Sequence, residues 1–212
     1  MAQMRTLSTR SQAQLGNEKR ICQKERFLMN KFEQALIEGA KAAQEDYGEI
    51  TGGWWLSYGP ESFIGHTIAN KLRKEGFLVF PEASPKKIRE EMDDPPKGRP
   101  PKNLGQRFDL VVWEKSNEKI KAVIEIKKAW DITLLRTDQK KIATFLKQHE
   151  YVKSGYLLAY TDAKGVRREN TLSNRLDKWA QGLSCSLVGF HIDKQGSEEW
   201  SWAIGLFRLP RL

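Results

Sequence analysis

Between Arg107 and Trp130 the chain reads RFDLVVWEKSNEKIKAVIEIKKAW, two apolar runs joined by a charged turn. Val, Ile and Leu at this density predict two strands, each buried on at least one face. An apolar strand pair needs cover, so this stretch asks for a sheet with other elements packed on it. Each run is nevertheless broken by an acid, Asp109 in the first and Glu125 in the second, with Lys127 two residues further on. Charges are costly to desolvate in a buried strand. These three residues are what the rest of the chain has to explain.

Side chains alternate along a strand. Glu125 and Lys127 therefore share a face with Val123, while Ala122, Ile124 and Ile126 take the other. Asp109 goes with Val111 and Trp113, and Phe108, Leu110 and Val112 face the opposite way. A turn symmetric about Asn117 sets Asp109 across from Glu125 and Trp113 across from Lys121. Opposed residues have Cβ atoms about 4.5–5.5 Å apart, and two carboxylates that close do not both ionise without a cation. Lys127 offers one positive charge. A divalent metal neutralises the pair better, and Mg²⁺ takes one or two carboxylates, keeps several waters and accepts substrate phosphates. A one-residue slip would put the acids on opposite faces. The competing reading is a structural ion pair near the strand ends, although buried ion pairs contribute little to stability.

The remaining elements read as follows. A helical pattern runs from about Asn17 to Asp46, with Ile21, Phe27, Leu28, Phe32, Leu36, Ile37 and Ala40 recurring near a 3.6 spacing. Gly48 and the Thr51–Gly53 turn end it, and Trp54 and Trp55 are expected to plug the core beneath it. A second helix follows Pro60, with Glu61 in its first turn and Gly76 at its stop. FLVFPEAS is a short strand, and the proline-rich segment Ser84 to Gly105 is a long basic loop. After the hairpin come a helix from about Ile132 to Glu150, a strand at GYLLAYTDA, a helix capped by Asn170 or Thr171, and two closing strands. The expected fold is α/β, a mixed central sheet flanked by helices on both faces. At 212 residues one core with an appendage is the natural division, residues 1–53 as an N-terminal helical extension and 54–212 as the main domain.

An apolar strand carrying Asp, a turn, then an apolar strand ending Glu-x-Lys resembles the PD-(D/E)xK nuclease superfamily, the restriction-endonuclease-like fold. The motif stands here as Phe108–Asp109 and Glu125–Ile126–Lys127, with Phe in place of the usual Pro. The resemblance covers roughly Pro60 to Tyr160 in its order of elements. It implies that Asp109 and Glu125 bind Mg²⁺ (Mn²⁺ substituting), with the Ile126 carbonyl as a further ligand. It implies that Lys127 positions or activates the attacking water and steadies charge on the phosphate, and that Glu61 is the helical acid that completes many such sites. Glu61 as a plain helix-dipole partner stays open beside that. Glu82 is a weaker candidate beside the same sheet end. Gln139 or Lys140, on the following helix, is the resemblance's candidate for a further group reaching the site. Lys128 should point away from Lys127, and His66 is expected to pack or lie at the surface.

The formal net charge of +9 raises the expectation of an anionic partner, nucleic acid above all. On the long loop Lys86, Lys87, Arg99 and Lys102 are placed to hold a DNA backbone without reading sequence. The expected activity is therefore metal-dependent hydrolysis of DNA phosphodiester bonds, as an endonuclease. A non-catalytic nucleic-acid-binding module on the same fold is the alternative, and the N-terminal helix could serve a homodimer in either case. Two distant cysteines and three scattered histidines suit neither a disulfide scaffold nor a zinc site. No apolar run approaches the roughly 18 residues that span a bilayer, and a cytoplasmic location is the simplest expectation.

Overall fold

The computed structural model describes residues 29–54, 56–84, 107–114, 120–150, 152–165, 168–194 and 200–210. Within them six strands form one sheet: β1 (Leu78–Ala83), β2 (Phe108–Trp113), β3 (Ile120–Lys128), β4 (Ser154–Lys164), β5 (Ser186–Lys194) and β6 (Trp200–Leu209). Their order across the sheet is β1-β2-β3-β4-β6-β5. β3 and β4 run parallel and the other neighbours antiparallel. The sheet is therefore mixed, and the architecture is α/β.

Helices α1 (Lys31–Thr51) and α2 (Glu61–Lys74) supply one core and α3 (Ile132–Gln148) and α4 (Arg168–Gly182) the other. The α1 and α2 stripes, among them Leu36, Ala40, Ile64 and Ile68, pack with Leu110, Val112, Ala122, Ile124 and Ile126. Leu135, Ile142, Phe145, Leu172 and Leu176 pack with Val111, Val123 and Leu157. Strand alternation thus sorts β2 and β3 residues between two buried faces. Phe108 breaks that sorting. At the start of β2 it joins the α3 side, its ring edge-on to Phe145 with centroids 5.0 Å apart.

α1 is capped by Asn30, which accepts from the Glu33 amide while Glu33 reaches back to the Asn30 amide, a capping box. The helix runs through Gly48 and stops at Gly52, whose φ of 72° suits a residue without Cβ. Gly48 therefore lies inside the helix, past its expected end near Asp46, and the Thr51–Gly53 turn stops it as expected. The part of the pattern before residue 29 lies outside the described residues. At Gly39 an added Cβ would come 2.9 Å from the Ile68 backbone, so this glycine sets how closely α1 and α2 cross. The Phe32, Leu36, Ile37 and Ala40 stripe is buried within the chain itself.

Trp54 corrects another expectation, since it is 59% exposed and stands edge-on to Tyr58 instead of plugging the core. Pro60 is the cap of α2, and not its first residue. Asn170 and Thr171 lie inside α4, which starts at Arg168. Among the described residues no helix is long and apolar enough to cross a membrane.

Candidate active site

β2 and β3 pair with Leu110 opposite Ile124, Val111 opposite Val123 and Val112 opposite Ala122. Carried one residue on, that register sets Asp109 opposite Glu125, as a turn symmetric about Asn117 requires. Nearer the turn the register shifts, and Trp113 meets Ile120 instead of Lys121. Lys121 becomes the extra residue of the irregularity and is drawn to Glu114, 3.3 Å away. At the acid end the pairing is tightened by a side chain: Ile126 N–H donates to Asp109 Oδ2 at 2.6 Å. The amide between Glu125 and Lys127 is thereby tied to the acid on the neighbouring strand.

Glu61 reaches the same place from the first turn of α2. Its Oε2 lies 3.1 Å from Lys127 Nζ, and its Oε1 accepts the Lys128 N–H at 2.8 Å. The acid is thus fixed by two bonds to β3 as well as placed for the helix dipole. Lys128 points away, as alternation demands, and its ammonium is held by the Ser57 and Gly59 carbonyls. His66 is exposed, with Nδ1 2.8 Å from the Ser62 carbonyl.

α3 contributes two residues that the sequence reading missed. Lys141 Nζ lies 2.5 Å from Glu125 Oε1, without the alignment of a hydrogen bond. The same ammonium reaches the Arg107 carbonyl and lies 4.9 Å from the centre of the Phe108 ring. Asp138, one helical turn before Lys141, is close enough for its charge to act on Asp109, Glu125 and Lys127. The signal was in the spacing: 138 is three after buried Leu135, and 141 is four before buried Phe145. Gln139 turns elsewhere, its amide 3.4 Å from the Leu183 carbonyl, and Lys140 is exposed. Neither is brought to the carboxylates. Lys86, Lys87, Arg99 and Lys102 lie outside the described residues.

The electrostatics follow from crowding. Burial first, then the Asp109 charge, push Glu125 up to about 8 against the pull of Lys141. Asp109 is raised by burial, with the Ile126 hydrogen bond and Lys141 opposing. Burial likewise raises Asp138, against Lys127 and Lys141. Burial lowers Lys127, but the hydrogen bond and charge of Glu61, with Asp138 and Asp109, outweigh it and hold this ammonium above its ordinary value. Four acids and two lysines share the site, and the carboxylates are short of positive charge.

A cleft of about 230 Å³ opens beside them, lined by Glu61, Ser62, Gly65, His66, Pro81, Glu82 and Asp109. Glu82 falls opposite Asp109 in the β1–β2 register, between the pairs Pro81–Leu110 and Ala83–Phe108. Its φ of 50° is left-handed, a conformation a glutamate holds only under constraint from its surroundings. Asp109 thus faces an open cleft, whereas Glu125 meets α3.

Among the described residues no three His, Cys, Asp or Glu side chains gather as a ready metal-ligand set. A Mg²⁺ ion does not need one, since two carboxylates with water and a substrate phosphate complete its shell. The carboxylate chemistry of Asp109 and Glu125 and their shortage of positive charge suit such an ion, while Lys141, 2.5 Å from Glu125 Oε1, stands where the ion would meet that oxygen. Comparison with protein-family models, with curated proteins and with solved structures finds no match.

Proposed function

We propose that the protein is a Mg²⁺-dependent nuclease that hydrolyses DNA phosphodiester bonds as an endonuclease, on a restriction-endonuclease-like core. The observation that carries this reading is the β2–β3 register at Leu110–Ile124, which one residue on brings Asp109 next to Glu125, with the Ile126 N–H on Asp109 and Lys127 held by Glu61. It is supported by the resemblance of the motif and the elements around it to that superfamily, and by a net charge of +9, which suits a polyanion.

Asp109 and Glu125 are the residues that hold the metal, with the Ile126 carbonyl beside them. Mg²⁺ bound there supplies Lewis acidity toward the phosphate and an acidified water. The chain's own residues do the rest. Ile126 N–H fixes the Asp109 carboxylate, and Glu61, which lines the cleft, fixes the Lys127 ammonium. Lys127 stays protonated because the acids around it favour its charge, so it orients water and stabilises negative charge developing on the phosphate.

The test is supercoiled plasmid incubated with Mg²⁺ or Mn²⁺. Nicked or linear product is expected, abolished by EDTA and by Lys127→Ala. Intact plasmid under both metals, from protein that binds DNA, favours the second reading, a non-catalytic nucleic-acid-binding module. The observation on that side is that Lys127 and Lys141 already pair with Glu61 and Glu125.

A further inference from the structure

Just beyond the end of β3, a cleft of about 370 Å³ is lined by Ser57, Tyr58, Trp130, Asp162 and Trp200. It is aromatic where the carboxylate cleft is acidic. Tyr58 is 69% exposed and Trp130 53%, areas that contribute nothing to the two cores. The rings are nonetheless held in place. Trp130 Nε1 donates to Asp162 Oδ1 at 3.0 Å, and the preceding residue, Ala129, donates its N–H to the Tyr160 carbonyl. Arg175 donates to the Asp162 carbonyl at 2.9 Å. Lys128 binds the Ser57 and Gly59 carbonyls and so fastens the turn carrying Tyr58 to β3. Lys164 Nζ lies 5.7 Å from the centre of the Trp200 ring.

We infer that this cleft receives one unpaired nucleobase of the strand whose phosphate lies at Lys127. The inference rests on the nuclease reading for the identity of its ligand. Exposed, immobilised aromatic rings with lysine nearby are what sequence-tolerant single-strand binding uses, because every base offers a π-face. Asp162 lines the same cleft and brings a carboxylate that can accept from an exocyclic amine. Position completes the argument. Trp130 is three residues after Lys127, at most about 10 Å along the backbone, a short step along a nucleic-acid strand. A paired base cannot enter, so the substrate class is DNA with an unpaired segment next to the cut, such as an end, a gap or a branch.

The test uses the full-length protein in EDTA and fluorescence anisotropy with two dye-labelled oligonucleotides, one single-stranded and one fully duplex. Trp130→Ala is expected to weaken single-strand binding about tenfold and to leave duplex binding unchanged, with Trp130→Phe restoring most of the loss. A single abasic nucleotide moved along the strand should reproduce the loss at one position, and there it should add nothing to Trp130→Ala. Equal weakening of both substrates, or none, overturns the base pocket while leaving the nuclease reading intact. A wild-type protein that binds neither oligonucleotide overturns both.

Discussion

Glu33 and Glu125 are buried to nearly the same depth, at 0% and 4% exposure, and their surroundings are opposite. Glu33 on α1 accepts from Tyr156 Oη and Arg208 Nε, each at 2.9 Å, from Arg208 Nη2, and from the Asn30 amide at 3.1 Å. Glu125 meets one unaligned ammonium and an acid across the strand pair. A fully bonded buried carboxylate fastens elements together, here α1, β4 and β6. One left short of donors serves no such purpose, and it is where a cation would be welcome.

The largest test of that contrast is Lys127→Ala. Removing it should lower plasmid nicking at least about 100-fold while the thermal midpoint moves little, because the lysine is partly solvated. Arg208→Ala should do the reverse. It leaves Glu33 buried with fewer donors, a change that costs roughly 3–5 kcal/mol for a fully buried pair. With the arginine side chain 42% exposed, about 2 kcal/mol is expected by urea titration, with nicking per folded molecule unchanged.

A smaller effect separates the two acids by pH. Folded Glu125 keeps its proton to about pH 8, whereas its ordinary value is 4.5. Between those values the folded state binds more protons than the unfolded one, so its contribution to stability falls as pH rises and is lost above about 8. Glu125→Gln should flatten that slope in denaturant titrations, and Mg²⁺ should flatten it in the unaltered protein by favouring the ionised form. An identical slope in Glu125→Gln would assign the pH dependence elsewhere. The smallest change is Tyr156→Phe, which removes one of the Glu33 donors and should lower stability by about 1 kcal/mol in the same titration.

The acid pairing was legible because two local rules act together. Alternation and a turn symmetric about Asn117 are both readable from sequence, and the register at Leu110–Ile124 agrees with them. Near the turn the same reading failed at Trp113, because attraction between Lys121 and Glu114 is invisible to a pattern of apolar residues. Phe108 departed from alternation because a ring at a strand end can swing to whichever face offers another ring. Asp138 and Lys141 were passed over although they occupy the inward stripe of α3, where charge has to have a partner. Resemblance pointed instead to Gln139 and Lys140, of which the first is half-buried against the Leu183 carbonyl and the second exposed. Trp54 failed for the opposite reason: hydrophobic identity predicted burial, but a helix that runs on to Thr51 carries it past the core.

The bond between Lys127 and Glu61 closes a loop of 66 residues, and β3 and β4 are joined in parallel through α3. Contacts of such long range form slowly, because loop-closure entropy opposes them until the intervening chain is in place. No early hairpin or lone helix in this chain can possess the charged site, since α2, β2, β3 and α3 must all have docked. Recovery of the Lys127–Glu61 pair after dilution from denaturant would therefore report the end of folding.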